Sequence, residues 1–345
     1  MNVVPASVSD FAAHAAAFDA VWKDGNDDCH ESWRGLADTA LHFRVAGRRA
    51  AQRLLPAFAH LPAVLPEGQP CLTIDAFEAA GHEQLEPLWL AAALRDTADV
   101  ARHEKPGRVS WLDCGACTDL YSLDDNRVVS CLHQRDVLSH RGLAHPLFIH
   151  LVQWMRQQGH AMLHAAVIAR AGEGLLLAGR GGAGKSTTLL ACLQGGLESG
   201  GDDYLALSRL GTPTVYPLYD TVCVHADTFA RLAGLSLTPP AMTAASCLEN
   251  KPPFFMHQSG LQTRPVTRLR AVVAASLVDT GPTRLQPARP GEILRELLTT
   301  SLTLPGVPLS DFGLVCDALN GLQCYRLEVG KDSSALLEMM AELLA

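Results

Sequence analysis

The chain holds 345 residues, enough for two domains that each bury their own core. Hydrophobic residues make up 48% and charged residues 19%, a globular balance that excludes a disordered chain. With 28 basic against 36 acidic residues, a formal charge of -8 and no basic stripe interleaved with aromatics, nucleic acid is not an expected partner.

Residues 1–22 carry acids and the spacing Phe11, Ala15, Phe18, Trp22 behind a Ser9 cap, which predicts a helix over 10–22 rather than a secretory signal. Short strands are expected in CLTIDAFEA (71–79) and NRVVSCL (126–132), with a helix over 88–99. The first part of the chain, 1–140, therefore reads as an α+β domain suited to peptide recognition or subunit contacts. Cys114, Cys117, Cys131 and His133 offer four ligands for a zinc knuckle, although thiols half-buried in a β segment explain the same residues.

The longest apolar runs, LWLAAAL (88–94) and AVVAASLV (271–278), fall well short of the roughly 20 residues a membrane helix requires. Ten scattered cysteines lack the density of a secreted disulfide scaffold, so reduced thiols and a soluble, cytoplasmic protein are expected, with no membrane partner.

The second part, 141–345, opens with a helix over 147–159 that stops at Gly159. Two strands follow, MLHAAVIA and GLLLAG, and the hairpin between them would fold His164 back alongside the second strand. Gly179, Arg180, Gly181, Gly182, Ala183, Gly184, Lys185 and Ser186 then satisfy the spacing G-x-x-x-x-G-K-[ST], with Thr187 next. An apolar strand runs in and a helix runs out to Gln194, so loop amides and the helix N-terminus can converge on phosphate oxygens. Lys185 would bridge the terminal phosphates of a bound nucleotide and the Ser186 hydroxyl would ligate magnesium.

Asp202 and Asp203 follow soon after. A helix of about ten residues leads roughly 15 Å away, and an extended return over 195–201 covers roughly 23 Å, so both acids can come back to the phosphates. They could hold metal and orient a nucleophile, facing opposite ways as strand neighbours do, or simply form a solvated turn before Tyr204. His164 is either a core histidine or a supporting group. YLALSRLGTPTVYPLY reads as strand, turn, strand, with Tyr219 and Asp220 passing the acceptor side or merely packing. Of the later cations, Lys251 and Arg264 are the best candidates to reach a phosphate or carboxylate, ahead of Arg268 and Arg270. A strand over 269–279 and helices over 291–302 and 333–344 complete the chain.

The series MLHAAVIA, GRGGAGKST and GGDDYLAL resembles the catalytic domain of the HPr kinase family, over about 145–330 and most strongly over 162–225. The resemblance implies an α/β P-loop kinase domain of the HPr kinase and phosphoenolpyruvate carboxykinase type, using ATP and Mg2+ and often oligomeric. It also implies that Asp202 accepts the acceptor-serine proton, that Asp203 and Ser186 hold the metal, and that His164 supports them. GGDDYLAL followed by YPLYDTVCV is similar to the kinases found with lasso-peptide biosynthesis, which implies a peptide or protein substrate carrying an acceptor serine. A P-loop ATPase or nucleotide-binding regulator without an acceptor, or a kinase of a small-molecule hydroxyl, is the alternative.

Overall fold

The computed structural model describes residues 8–25, 28–65, 67–78, 100–103, 109–113, 117–133, 140–208, 211–225, 228, 237, 251–278, 280–301, 311–330 and 333–345. The helix expected over 88–99 lies outside them. The described elements are mixed α/β, and the chain divides into two compact units. The first comprises residues 1–57, 61–151 and 241–248; the second comprises 58–60, 152–240 and 249–345. Among the described residues no helix is long and apolar enough to cross a membrane.

The first unit is built on a mixed seven-stranded sheet. Its strands are β1 (Cys29–Leu36), β2 (Thr39–Ala46), β3 (Cys71–Glu78), β4 (Val100–His103), β5 (Val109–Asp113), β6 (Cys117–Ser122) and β7 (Arg127–Leu132), in the order β1-β2-β3-β7-β6-β5-β4. Helix α1 (Val8–Lys23) covers one face because its spacing buries Phe11, Ala15 and Phe18 together against Phe77, Leu120, Val129 and Cys131. On the other face α2 (Arg48–Leu54) sends Arg53 inward, where its guanidinium donates to Ser130 Oγ at 2.7 Å and to Asp119 Oδ2 at 3.2 Å.

This sheet rules out the zinc knuckle for the residues it contains. Cys117 pairs with Leu132 and Thr118 with Cys131, so the two cysteines, one register step apart, face opposite sides. Cys131 is buried in the α1 core, which pushes its thiol up to about 12, while His133 Nε2 meets Thr118 Oγ1 at 2.9 Å. One cation cannot be shared across a pleated sheet. Cys114 lies outside the described residues.

Helices α3 (His140–Ala144) and α4 (Phe148–Gln157) lead into the second unit. Its larger sheet contains β8 (Ala161–His164), β9 (Ala166–Arg170), β10 (Glu173–Ala178), β11 (Glu198–Gly201), β12 (Tyr204–Leu207) and β13 (Thr214–Pro217). A two-stranded ribbon, β14 (Thr221–Cys223) with β15 (Pro253–Phe255), stands beside it. Strands β16 (Thr267–Leu277), β17 (Arg284–Pro287) and β18 (Gln323–Val329) finish the large sheet, in which β10, β16 and β18 run parallel.

Strand alternation divides the apolar residues of this sheet between two cores. Leu175, Leu177, Val273 and Leu327 pack on α5 (Lys185–Gln194) and α8 (Ser333–Leu343), whereas Leu176, Ala178, Val272 and Ala274 pack on α6 (Pro290–Ser301) and α7 (Asp311–Leu319). A parallel strand, a glycine loop and a buried helix thus follow one another as the sequence expects.

One expectation is corrected. β9 is the strand that folds back on β10, from Arg170 opposite Glu173 to Ala166 opposite Leu177, and the chain breaks at Ala165. His164 therefore lies on β8, opposite Tyr204 of β12, and not alongside β10.

Candidate active site

The loop between β10 and α5 is shaped by its backbone. Gly179 has φ 148°, and a Cβ there would meet Ala183 Cβ at 2.9 Å and the Ala275 carbonyl at 3.0 Å. Gly184 caps the helix at φ 94° with no side-chain hydrogen bond to the first turn, which also holds no acidic residue. The first amides of α5 are thus left to an external acceptor, and the helix dipole favours an anion there. Arg180, Gly181 and Gly182 are exposed, Ala183, Gly184, Ser186 and Thr187 half-buried, and Lys185 buried. The Lys185 ammonium donates to the Gly179 carbonyl at 2.9 Å, folding back over the loop it belongs to.

α5 spans ten residues, and β11 brings the chain back beside β9. Asp202 and Asp203 form the bend between β11 and β12, held by Tyr204 N–H donating to the Asp202 carbonyl (2.8 Å) and Ala165 N–H donating to the Asp203 carbonyl (3.2 Å). Asp203 takes φ 63°, a left-handed conformation that aspartate tolerates better than most residues. Both acids act on the same two lysines, Lys185 and Lys251.

Asp202 is 1% exposed, and neither carboxylate oxygen has a hydrogen-bond partner. The Ser186 hydroxyl lies near enough to favour its charged form without completing a hydrogen bond. Burial first, and Asp203 second, push the Asp202 carboxyl up to about 7, against the pull of Lys251, Ser186 and Lys185. Burial holds Lys185 below the ordinary lysine range despite both acids. Burial acts the same way on Lys251, yet Asp203 and Asp202 outweigh it and leave that ammonium above its usual value.

Lys251 reaches the acids through the ribbon. Cys223 of β14 pairs with Pro253 of β15, and Val224 N–H donates to the Pro252 carbonyl, so the residue just before those prolines is set against the bend. Cys223 shares the environment: burial, then Asp203, raises its thiol well above the usual value. The other cations go elsewhere. Arg264 pairs with Glu198, while Arg268 and Arg270 lie 3.6 and 3.9 Å from Glu173 at the opposite end of β10.

His164 joins from β8, with Nε2 3.5 Å from Asp203 Oδ1 and its ring 5.7 Å from that of Tyr204. Its backbone N–H donates to Ser301 Oγ at 3.0 Å, which ties β8 to the end of α6. Tyr219 is buried, its ring 6.3 Å from that of Tyr204. Asp220 is fully buried and accepts from His257, Nδ1 to Oδ2 at 2.5 Å and backbone N–H to Oδ2 at 3.1 Å. The sequence carried no signal for that pair, because only the register of β14 with β15 brings it together.

The donor set fits a nucleotide with a divalent cation. Uncapped helix amides and a lysine suit phosphate oxygens, while two neighbouring carboxylates, Asp202 and Asp203, with the Ser186 hydroxyl close by suit a hard cation. Compared with known proteins, the chain matches no family model and no curated protein sequence. Among solved structures it is similar to the HPr(Ser) kinase/phosphatase from Coxiella burnetii, at 12% identity over 52% of this chain and 91% of that one, with a TM-score of 0.27. The likeness is distant.

Proposed function

We propose that the chain is an ATP- and Mg2+-dependent kinase that transfers the γ-phosphate to a serine hydroxyl, on a ribosomally made peptide of the lasso-precursor type. The observation that carries the reading is the buried group Lys185, Asp202 and Asp203 with the half-buried Lys251 beside the glycine loop, both Asp202 oxygens being unpartnered. A purely structural ion cluster would satisfy those oxygens. The serine acceptor and the peptide substrate are supported by the resemblance of the MLHAAVIA, GRGGAGKST and GGDDYLAL segments to kinases that act on such substrates.

In this reading the loop amides from Gly179 to Ser186 and the Lys185 ammonium take up the phosphate oxygens, Lys185 giving up its bond to the Gly179 carbonyl. Ser186 and Asp203 hold the cation, which when bound neutralises charge on the transferred group. His164 positions Asp203, and Thr187 extends the loop's hydrogen-bonding edge. Asp202 accepts the proton from the serine Oγ, a task for which a carboxyl near pH 7 is suited. Lys251 balances the charge of the two acids.

Incubation with γ-labelled ATP and serine-bearing peptides tests this. Label on serine, lost with Lys185→Ala and lost without magnesium, is expected. ATP hydrolysis with no labelled acceptor would favour a P-loop ATPase, and label on a small alcohol would keep the chemistry and overturn the peptide.

A further inference from the structure

Beside the phosphate loop lies a cavity of about 540 Å³ that none of the residues assigned above as acid, base or metal ligand lines. Its walls are the outer turn of the loop from Arg180 to Ala183, the end of β16 at Ser276 and Leu277, Glu296 of α6 and Arg326 of β18. It sits outside the carboxyl ends of the parallel strands β10 and β16, where open α/β sheets take their ligands. The volume is that of a small-ligand site.

Resting on the nucleotide reading above, we propose that this cavity receives the nucleoside end of the substrate, with the Glu296 carboxylate accepting hydrogen bonds from the ribose hydroxyls. Three observations carry it. The cavity adjoins the loop that would hold the phosphates, but Lys185, Asp202 and Asp203 are absent from its walls, so an acceptor hydroxyl seated there would not meet the proposed base. Glu296 is oriented by Arg326, Nη2 to Oε1 at 3.1 Å, with both side chains partly exposed. A carboxylate held in this way suits a vicinal diol.

Leu277 supplies the apolar surface. It is 43% exposed although it leans on the loop, its Cδ2 lying 2.7 Å from where a Cβ on Gly184 would stand. A base laid against Leu277 and the flat Arg326 guanidinium would cover both.

Calorimetric titration of the whole protein with magnesium ATP, magnesium 2′,3′-dideoxy-ATP and magnesium inorganic triphosphate tests the assignment. In the unaltered protein dideoxy-ATP should bind ~10-fold more weakly than ATP, the loss expected for hydrogen bonds to a charged group. Glu296→Gln should abolish most of that difference and lower the ratio of ATP to triphosphate affinity by a similar factor. Leu277→Ala should lower the same ratio without touching the ribose dependence. An unchanged ratio in both variants, or dideoxy-ATP binding as well as ATP throughout, overturns the proposal. Equal weakening of ATP and triphosphate in Glu296→Gln also overturns it, since that marks a general disturbance of the loop. Lys185→Ala separates the two readings: it should weaken both ligands and preserve their ratio, whereas undiminished triphosphate binding there would sink the phosphate loop itself.

Discussion

Each unit of this protein buries an ionic cluster, and the two are built differently. In the first unit Asp119 is fully served: Oδ1 accepts from Ser130 Oγ at 2.5 Å, and Oδ2 accepts from Arg53 at 3.2 Å and from the Cys117 thiol at 3.8 Å. In the second unit Asp202 is just as buried, beside two lysines, and neither of its oxygens is bonded. A charge taken out of water costs several kcal/mol unless it is paired and hydrogen-bonded. The first cluster meets that condition for its carboxylate, leaving only the Arg53 Nε without a hydrogen bond. The second meets it only in part, as expected where a ligand completes the set.

The largest effect should separate the clusters by activity. Asp202→Asn is expected to lower phosphoryl transfer by ~10²- to 10⁴-fold while leaving nucleotide affinity within a few-fold, as for loss of a general base. In the unaltered enzyme the rate should climb with pH and level off above about 7, because the carboxyl must shed its proton to accept another. A variant with full transfer would remove Asp202 from the chemistry.

Next comes stability. Asp119→Asn leaves the Arg53 charge buried without its counter-ion, so denaturant unfolding should show a loss of about 3–5 kcal/mol. A loss below about 1 kcal/mol would mean that the first cluster is not the structural one. Lys251→Met ranks third. It should reduce transfer by roughly 10- to 100-fold, the range of one charge-assisted contact, with little change in melting temperature.

The smallest effect concerns the free protein. The folded state keeps the Asp202 proton up to about pH 7, whereas the unfolded chain releases it near the ordinary value of 3.8. The folded state therefore binds more protons between those values, and this contribution to stability falls as pH rises through that window. Asp202→Asn lacks it, so the variant should gain on the unaltered protein between pH 5 and pH 8, by about 1 kcal/mol after allowance for the coupling to Asp203. A gain equal at both pH values would contradict the buried, uncompensated carboxylate.

The parts of this arrangement that the sequence made legible are those decided by neighbouring residues. An apolar strand, glycines and a helix-compatible run place the loop, and the length of α5 with the return of β11 places the acids, all within a short stretch. The β12–β13 hairpin and the core of β16 were readable for the same local reason. What escaped depends on distant pairing or on one backbone angle. His164 goes to β12 because the chain breaks at Ala165, which no periodicity announces. Lys251 was only one of several candidate cations, and the β14–β15 register singles it out. The left-handed backbone at Asp203 is likewise a single angle that no residue pattern announces. Helix α7, with Gly313 inside DFGLVCDAL, and strand β18, with its mixed burial, also lacked a clear period.

The contrast between the clusters comes down to whether the second one takes a cation that the first does not. Manganese, a spin-active stand-in for magnesium, can be titrated into the protein with ATP present and followed by electron paramagnetic resonance. Tight binding that is lost in Asp203→Asn and retained in Asp119→Asn is the predicted result; undiminished binding in Asp203→Asn would contradict the account.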